Sequence, residues 1–263
     1  MAPLHYAANL SMLWPDRDPY DRFAAAADAG FRRVEMLFPQ LLDPIQVESM
    51  LAEQGLTMVL FDLRAGDWAA GERGIAALPD RVDELQEHAV ADLDLAFRLG
   101  TSVVTVLAGR RDPDADPAEY DRVLIDNLRR LARPAADRGL VLAVEAINRT
   151  DVPGFHVSSV AHAAAIVEEV GHDAVGVQFD QYHVVMEGED PLAVFDAHAE
   201  LVRHVQIADA PGRHEPGTGS APVREFLEHL EARSYDGVVG LEYVPAGDTD
   251  EGLGWLPHEL RDG

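Results

Sequence analysis

A chain of 263 residues with 47% apolar side chains can bury one large core, and 47 acidic against 21 basic residues give a formal net charge of −26. Every Lys/Arg-type residue is arginine and there is no cysteine, which excludes thiol nucleophiles, disulfides, cysteine metal sites, lysine Schiff bases and the Walker lysine. That field repels nucleic acid and anionic membranes, and with no bilayer-length apolar run and no signal-peptide pattern a cytoplasmic protein is expected.

In chain order, short β-rich runs alternate with longer amphipathic stretches. Strands are predicted at His5–Asn9, Arg33–Leu37, Leu56–Leu63, Ser102–Leu107, Leu140–Ile147, Ala174–Asp180, Val202–Ile207 and Val238–Tyr243. Helices are predicted near 18–29, 44–54, 80–99, 117–138, 157–170, 190–200, 221–233 and 249–260. Pro117, Pro191 and Pro222 sit near helix starts, Gly30, Gly55, Gly100 and Gly171 just past helix ends, and Asp18 and Ser158 or Ser159 are candidate caps. Eight strand–helix units in strict alternation imply a parallel sheet. The length suits a closed (β/α)8 barrel of roughly 250 residues, and no glycine-rich dinucleotide fingerprint follows the first strand. A single-domain α/β protein, a (β/α)8 TIM barrel over residues 1–263, is therefore expected, since no linker divides the chain. The stretch from Arg64 to Pro79, which contains Trp68, reads either as a lid or binding loop or as a surface insertion pinned by its tryptophan.

In such a barrel chemistry sits at the carboxyl ends of the strands. The fifth predicted strand ends in Glu145, the sixth in Asp180, the seventh carries Gln206, and the eighth ends in Glu242. A carboxylate just past a strand can be only a cap or a solvated loop residue. Four consecutive strands delivering Glu, Asp, Gln and Glu to one rim is a stronger signal. Converging carboxylates need a cation or shared protons, and an oxygen-rich set suits Mg2+ or Mn2+; a purely electrostatic network is the alternative. His183, three residues past Asp180, is placed to support a ligand or move a proton. His204 can point into the barrel, His156 follows Glu145 on the next loop, and His162 reads as a solvated helix residue. Arg213, in the Gly- and Pro-rich loop 211–219, could meet an anionic substrate.

At these residues the sequence resembles the hydroxypyruvate isomerase family, within the xylose isomerase-like (β/α)8 barrels. The resemblance covers essentially the whole chain. It rests on Ala8-Asn-Leu-Ser-Met-Leu13, the Trp-containing segment Ala65 to Ala76, Glu145-Ala-Ile-Asn148 with Asp151 to His156, His204-Val-Gln-Ile-Ala-Asp209, Glu215-Pro-Gly-Thr-Gly219 and Gly240-Leu-Glu-Tyr243. It implies a divalent ion at Glu145, Asp180, Gln206 and Glu242, with Glu145 and Glu242 as the proton-transfer pair and His183 as a third catalytic group. The implied reaction is aldose–ketose isomerisation of a small hydroxy-oxo acid or sugar, hydroxypyruvate to tartronate semialdehyde being the type case. The same two-glutamate site would serve a 2-oxo-tetronate isomerase or a ketose 3-epimerase. Trp68, Arg73, His156 and Arg213 are the candidate substrate-binding residues, and a homo-oligomer is left open. The chain departs from the family pattern at Gln40, at Asp62-Leu63-Arg64, at Val184-Val185 and at Val244. Each departure touches the expected substrate shell and leaves the quartet alone.

Overall fold

The structure, a computed structural model, describes residues 4–262. Its strands are β1 (His5–Asn9), β2 (Arg33–Met36), β3 (Thr57–Asp62), β4 (Val103–Val106), β5 (Val141–Glu145), β6 (Val175–Asp180), β7 (Val202–Ile207) and β8 (Val238–Leu241). All pair in parallel with their sequence neighbours, and β8 pairs back onto β1 to close the barrel. Closure suits strands that are apolar on both faces, because it buries both and leaves no edge. The helices around them are α1 (Asp21–Asp28), α2 (Pro44–Gln54), α3 (Val82–Leu99), α4 (Pro117–Ala136), α5 (Val160–Val170), α6 (Gln181–Met186), α7 (Pro191–His198), α8 (Val223–Ala232), α9 (Thr249–Gly252) and α10 (His258–Arg261). No helix among the described residues is long and apolar enough to cross a membrane.

Local chemistry sets the helix ends. Asp43, Asp116 and Asp190 each accept the backbone N–H two residues on, with proline in the first turn of α2, α4 and α7. Ser159, not Ser158, caps α5 by accepting the His162 N–H. Gly55, Gly100 and Gly171 close α2, α3 and α5 in left-handed backbone. Asp18 does not cap α1; it accepts the Tyr20 N–H in the turn before that helix.

Two elements differ from expectation. Helix α6 follows β6 with no intervening loop, because Asp180 ends the strand and also caps the helix through the Tyr182 N–H at 2.9 Å. The C-terminal stretch is not one helix: Pro257 separates α10 from α9 and the 3-10 turn Leu253–Trp255. The second half of the 64–79 stretch is packed structure rather than a free lid. Ile75, Ala76 and Ala77 are buried, the Ala76 and Ala77 amides donate to Leu107 and Ala108, and Asn127 Nδ2 donates to the Ala76 carbonyl.

Inside the barrel, Ala7, Val59, Leu60, Val103, Ala143 and the half-buried Val238 form one apolar cluster. A much larger apolar cluster fills the space between sheet and helices. The inward positions nearer the strand ends are polar and buried: Asn9, Glu35, Thr105, Gln178, His204 and Gln206. Gly240 faces this layer of necessity, since a Cβ there would stand 2.3 Å from the Glu35 carboxylate.

Candidate active site at the barrel mouth

Glu145 and Asp180 are the last residues of β5 and β6, His183 lies in the first turn of α6, and Glu242 is one residue beyond β8. All four are buried. Glu145, Asp180 and His183 each offer a donor atom within 4.8 Å of the others. His183 Nε2 stands 3.4 Å from Asp180 Oδ2 and 3.7 Å from Glu145 Oε1. Arg213 reaches in from the loop after β7, its Nη2 donating to Glu242 Oε2 at 2.5 Å and to Asp180 Oδ2 at 3.2 Å. The guanidinium also lies 5.1 Å from the Tyr182 ring centroid. Its backbone is left-handed, φ 54°, a conformation that costs a non-glycine residue about 1–2 kcal/mol.

The electrostatics follow from burying like charges. Burial, then the neighbouring Asp180 and Asp62 carboxylates, pushes the Glu145 carboxyl well above the ordinary range. Burial raises Glu242 in the same way, against the opposing pull of Arg213. Burial disfavours the Arg213 charge, but Glu242, Asp180 and Glu145 more than offset it and hold its proton more tightly than usual. Burial pushes the His183 imidazole down to about 4, so it is neutral at pH 7.

The proton on His183 can be placed by accounting for Asn148. That amide's oxygen accepts the Thr150 and Asp151 N–H groups, while its nitrogen donates to Asp151 Oδ2 at 2.9 Å and to His183 Nδ1 at 2.7 Å. The Asn148 backbone N–H also points at Nδ1, at 3.4 Å. With Nδ1 accepting, the ring's single proton sits on Nε2, facing Asp180 and Glu145. His183 is thus a donor toward the carboxylates.

Gln206 lies inside the barrel within a continuous chain of buried hydrogen bonds. Thr105 Oγ1 donates to Gln178 Oε1 at 2.6 Å, Gln178 Nε2 to Gln206 Oε1 at 2.6 Å, and Gln206 Nε2 to Glu35 Oε1 at 2.9 Å. Glu35 also accepts from Asn9 Nδ2 at 2.9 Å and pairs with His204 Nε2 at 2.8 Å. Glu35 therefore fixes which end of the Gln206 amide is oxygen. Its role was invisible in sequence, where it was only a charged residue in a short predicted strand; Gly240 on β8, whose missing Cβ leaves room for the Glu35 carboxylate, was the available clue. Asp62, also buried, is pushed well above the ordinary carboxylate range by burial.

The residues expected to bind substrate divide. Arg213 is at the mouth, and its Nε is buried with no hydrogen-bond partner among the described residues. Trp68 and Arg73 stack on each other, the guanidinium 4.0 Å over the indole, and Trp68 packs edge-on against Phe38 at 5.0 Å. Arg73 spends Nη1 on the Trp68 and Glu72 carbonyls. Trp68 lines a cavity of about 310 Å3 with Phe38, Gln40, Arg64 and His88. His156 is placed otherwise than Arg213: its Nε2 pairs with Asp121 of α4 at 2.8 Å. A larger cavity, about 500 Å3, runs between α8 and residues 255–260 and contains none of the mouth carboxylates.

The chain is similar to known proteins over nearly its whole length. Residues 23–258 match the family described as xylose isomerase-like TIM barrel. The chain is 39% identical to the 2-oxo-tetronate isomerase of Cupriavidus necator, over 95% of this chain and 96% of that one. It is 38% identical to the hydroxypyruvate isomerase of Escherichia coli, over 96% and 98%. Among solved structures, a Brucella melitensis protein described as an AP endonuclease of family 2 superposes with a TM-score of 0.93 at 35% identity, covering 97% of this chain and 98% of that one.

Proposed function

The chain is an isomerase of the xylose isomerase-like TIM barrel family, and from that membership we propose that it interconverts a small hydroxy-oxo acid and its aldehyde isomer, hydroxypyruvate and 2-hydroxy-3-oxopropanoate, by proton transfer through an enediolate. The observation that carries this reading is the pair Glu145 and Glu242: two buried carboxyls, on β5 and just past β8, both with raised proton affinity. A carboxylate used as a base near neutral pH needs that increase. One of the two takes the proton from the hydroxymethyl carbon and the other returns a proton to the neighbouring carbon. His183, carrying its proton on Nε2, donates a hydrogen bond beside them and steadies the site.

The donor set at the mouth fits a hard divalent cation. Glu145, Asp180, Gln206 and Glu242 would hold Mg2+ or Mn2+ through oxygen, and three buried carboxylates with a single arginine leave an uncompensated negative site. When bound, the cation would polarise the substrate carbonyl as a Lewis acid. Arg213 supports substrate binding through its free Nε, a buried donor suited to a carboxylate oxygen. With no lysine in the chain, Arg213 is, among the described residues, the arginine that ion-pairs with the mouth carboxylates. The stack of Arg73 on Trp68 closes the neighbouring wall.

The two relatives at 39% and 38% identity differ in the substrate their names give, so a 2-oxo-tetronate is the second substrate to assay. An endonuclease activity, suggested by the name of the Brucella protein, is opposed by the charge of −26. The test is deuterium wash-in from solvent into each substrate, with Mg2+ or Mn2+ and with chelator. Glu145→Gln and Glu242→Gln should each lower exchange and turnover by about 10²–10⁴-fold. Full turnover in both variants would end the two-glutamate reading.

A further inference from the structure

A second cluster lies on the barrel flank and shares no residue with the mouth. Asp121 of α4, His156 of the loop between β5 and α5, and His162 of α5 converge on one point. His156 Nε2 is 2.8 Å and His162 Nε2 2.7 Å from the same oxygen, Asp121 Oδ1. The two imidazole rings meet at 76° with centroids 5.3 Å apart, and Tyr120 packs against His156 at 5.4 Å. All three donor atoms lie within 4.8 Å of one another.

The backbone under the cluster is already fixed. The His156 N–H donates to the Gly109 carbonyl at 2.9 Å, and the His162 N–H is spent on the Ser159 cap. The His156 side chain is 1% exposed, while His162 and Asp121 are 31% and 35% exposed. One donor is therefore rigid and the other two border solvent, which leaves an entry path and room for a water ligand. Two imidazoles and one carboxylate are the donors of a borderline transition ion, not of Mg2+. At Zn–N and Zn–O distances of about 2.0–2.2 Å, the donors would stand roughly 3.3 Å apart. The present N···O distances must open by about half an ångström, and the exposed Asp121 and His162 are the side chains free to do so. In the metal-free protein Nε2 of His156 carries the ring's proton toward Asp121, and metal binding would displace that proton. The Arg111 guanidinium is occupied by the carbonyls of Asp112, Pro113 and Ala115.

We propose that Asp121, His156 and His162 form a second divalent-metal site, of the zinc class, that clamps the loop between β5 and α5 onto α4. That loop carries Asn148 and Asp151, which hold His183 and the Tyr182 hydroxyl, so the clamp stiffens one wall of the mouth without touching the reacting groups.

The test uses the full chain stripped with chelator and titrated calorimetrically with Zn2+ alone. Asp180→Asn with Glu145→Gln removes two mouth ligands. In that background one equivalent of Zn2+ should still bind and raise the Tm. Adding His162→Ala or, separately, Asp121→Asn should abolish that equivalent and the Tm rise. Co2+ in the same background should give a visible absorption spectrum that His162→Ala removes. Should His162→Ala fail to fold, Asp121→Asn decides alone, because it keeps the side-chain volume. An unchanged zinc stoichiometry in the folded variants, or no zinc bound once the mouth ligands are gone, would overturn the proposal. The outcome is independent of the isomerase reading, which is tested at Glu145 and Glu242 by turnover.

Discussion

Gly240 and Glu35 show how a single methyl group would be felt in the mouth's foundation. The Glu35 carboxylate occupies the space where a Gly240 Cβ would be, and the neighbouring strands hold it there through Asn9, His204 and Gln206. Gly240→Ala should therefore cost about 1–3 kcal/mol in urea unfolding, as overpacking typically does; an unchanged midpoint would mean the Glu35 side chain can shift. His183 makes a second prediction, measured with chelator present. Its folded-state pKa of about 4 lies below the roughly 6.5 of an unfolded histidine. The unfolded chain binds more protons between those values, so this residue's contribution is complete above pH 6.5 and is lost as pH falls toward 4. The stability difference between wild type and His183→Gln should shrink by about 3 kcal/mol from pH 7 to pH 4, read from urea titrations at each pH. A constant difference would show that His183 is not held neutral. The positions of Glu145, Asp180 and Glu242 at the strand ends were legible because each is a polar interruption at the end of an apolar run, whereas Gln206 lies within β7 among the buried interior residues. Glu35, Thr105 and Gln178 were not legible, since strands buried on both faces show no alternation from which to read the inward side. The pairing of His156 with Asp121 was not legible for a related reason: proximity to Glu145 along the chain says nothing about which way a loop residue turns.

Between strand and helix, the loop after β7 depends on one buried carboxylate. Asp209 Oδ1 accepts the N–H groups of Ala210 and Ala221, and Oδ2 those of Gly217 and Gly219. Gly219 is needed at this spot, because a Cβ would stand 2.2 Å from the Ala210 carbonyl oxygen and 2.6 Å from Asp209 Oδ1. Such charge-assisted bonds to backbone are worth about 1.5–3 kcal/mol each and do not add simply. Asp209→Ala should destabilise the protein by about 3 kcal/mol and speed amide exchange across residues 210–221. Because Arg213 sits in that loop, turnover should fall with it. Normal exchange in 210–221 would show that the loop is held by other contacts. At this scale the alternation of strands and helices was readable, since prolines at helix starts and glycines just past helix ends punctuate it locally. Helix α6 escaped because six residues carry too little periodicity, and because Asp180 serves β6 and α6 at once.

For the whole molecule, the charge that works against nucleic-acid partners also sets the stability regime. With 47 acidic residues against 21 arginines, 26 negative charges have no formal counterpart. Arginine meets this shortage by serving several carboxylates: Arg81 bridges Glu72 and Glu84, and Arg213 bridges Asp180 and Glu242. Pairs at the surface, such as Arg98 with Glu48 or Arg129 with Glu169, are worth about 0–1 kcal/mol each. They are outnumbered by the carboxylates that repel one another over the helical shell. Salt weakens both effects, but the repulsion acts over distances comparable to the Debye length, about 10 Å at 0.1 M, whereas contact pairs are screened least. Net repulsion should therefore dominate the response, and the Tm should rise as NaCl is added from low to physiological strength and beyond. Sodium sulfate would confuse the reading by strengthening apolar burial, so sodium chloride is the titrant, with scanning calorimetry as the measurement. A Tm that falls over that range would mean that the bridging arginines, and not the excess of carboxylates, govern how this barrel answers to salt.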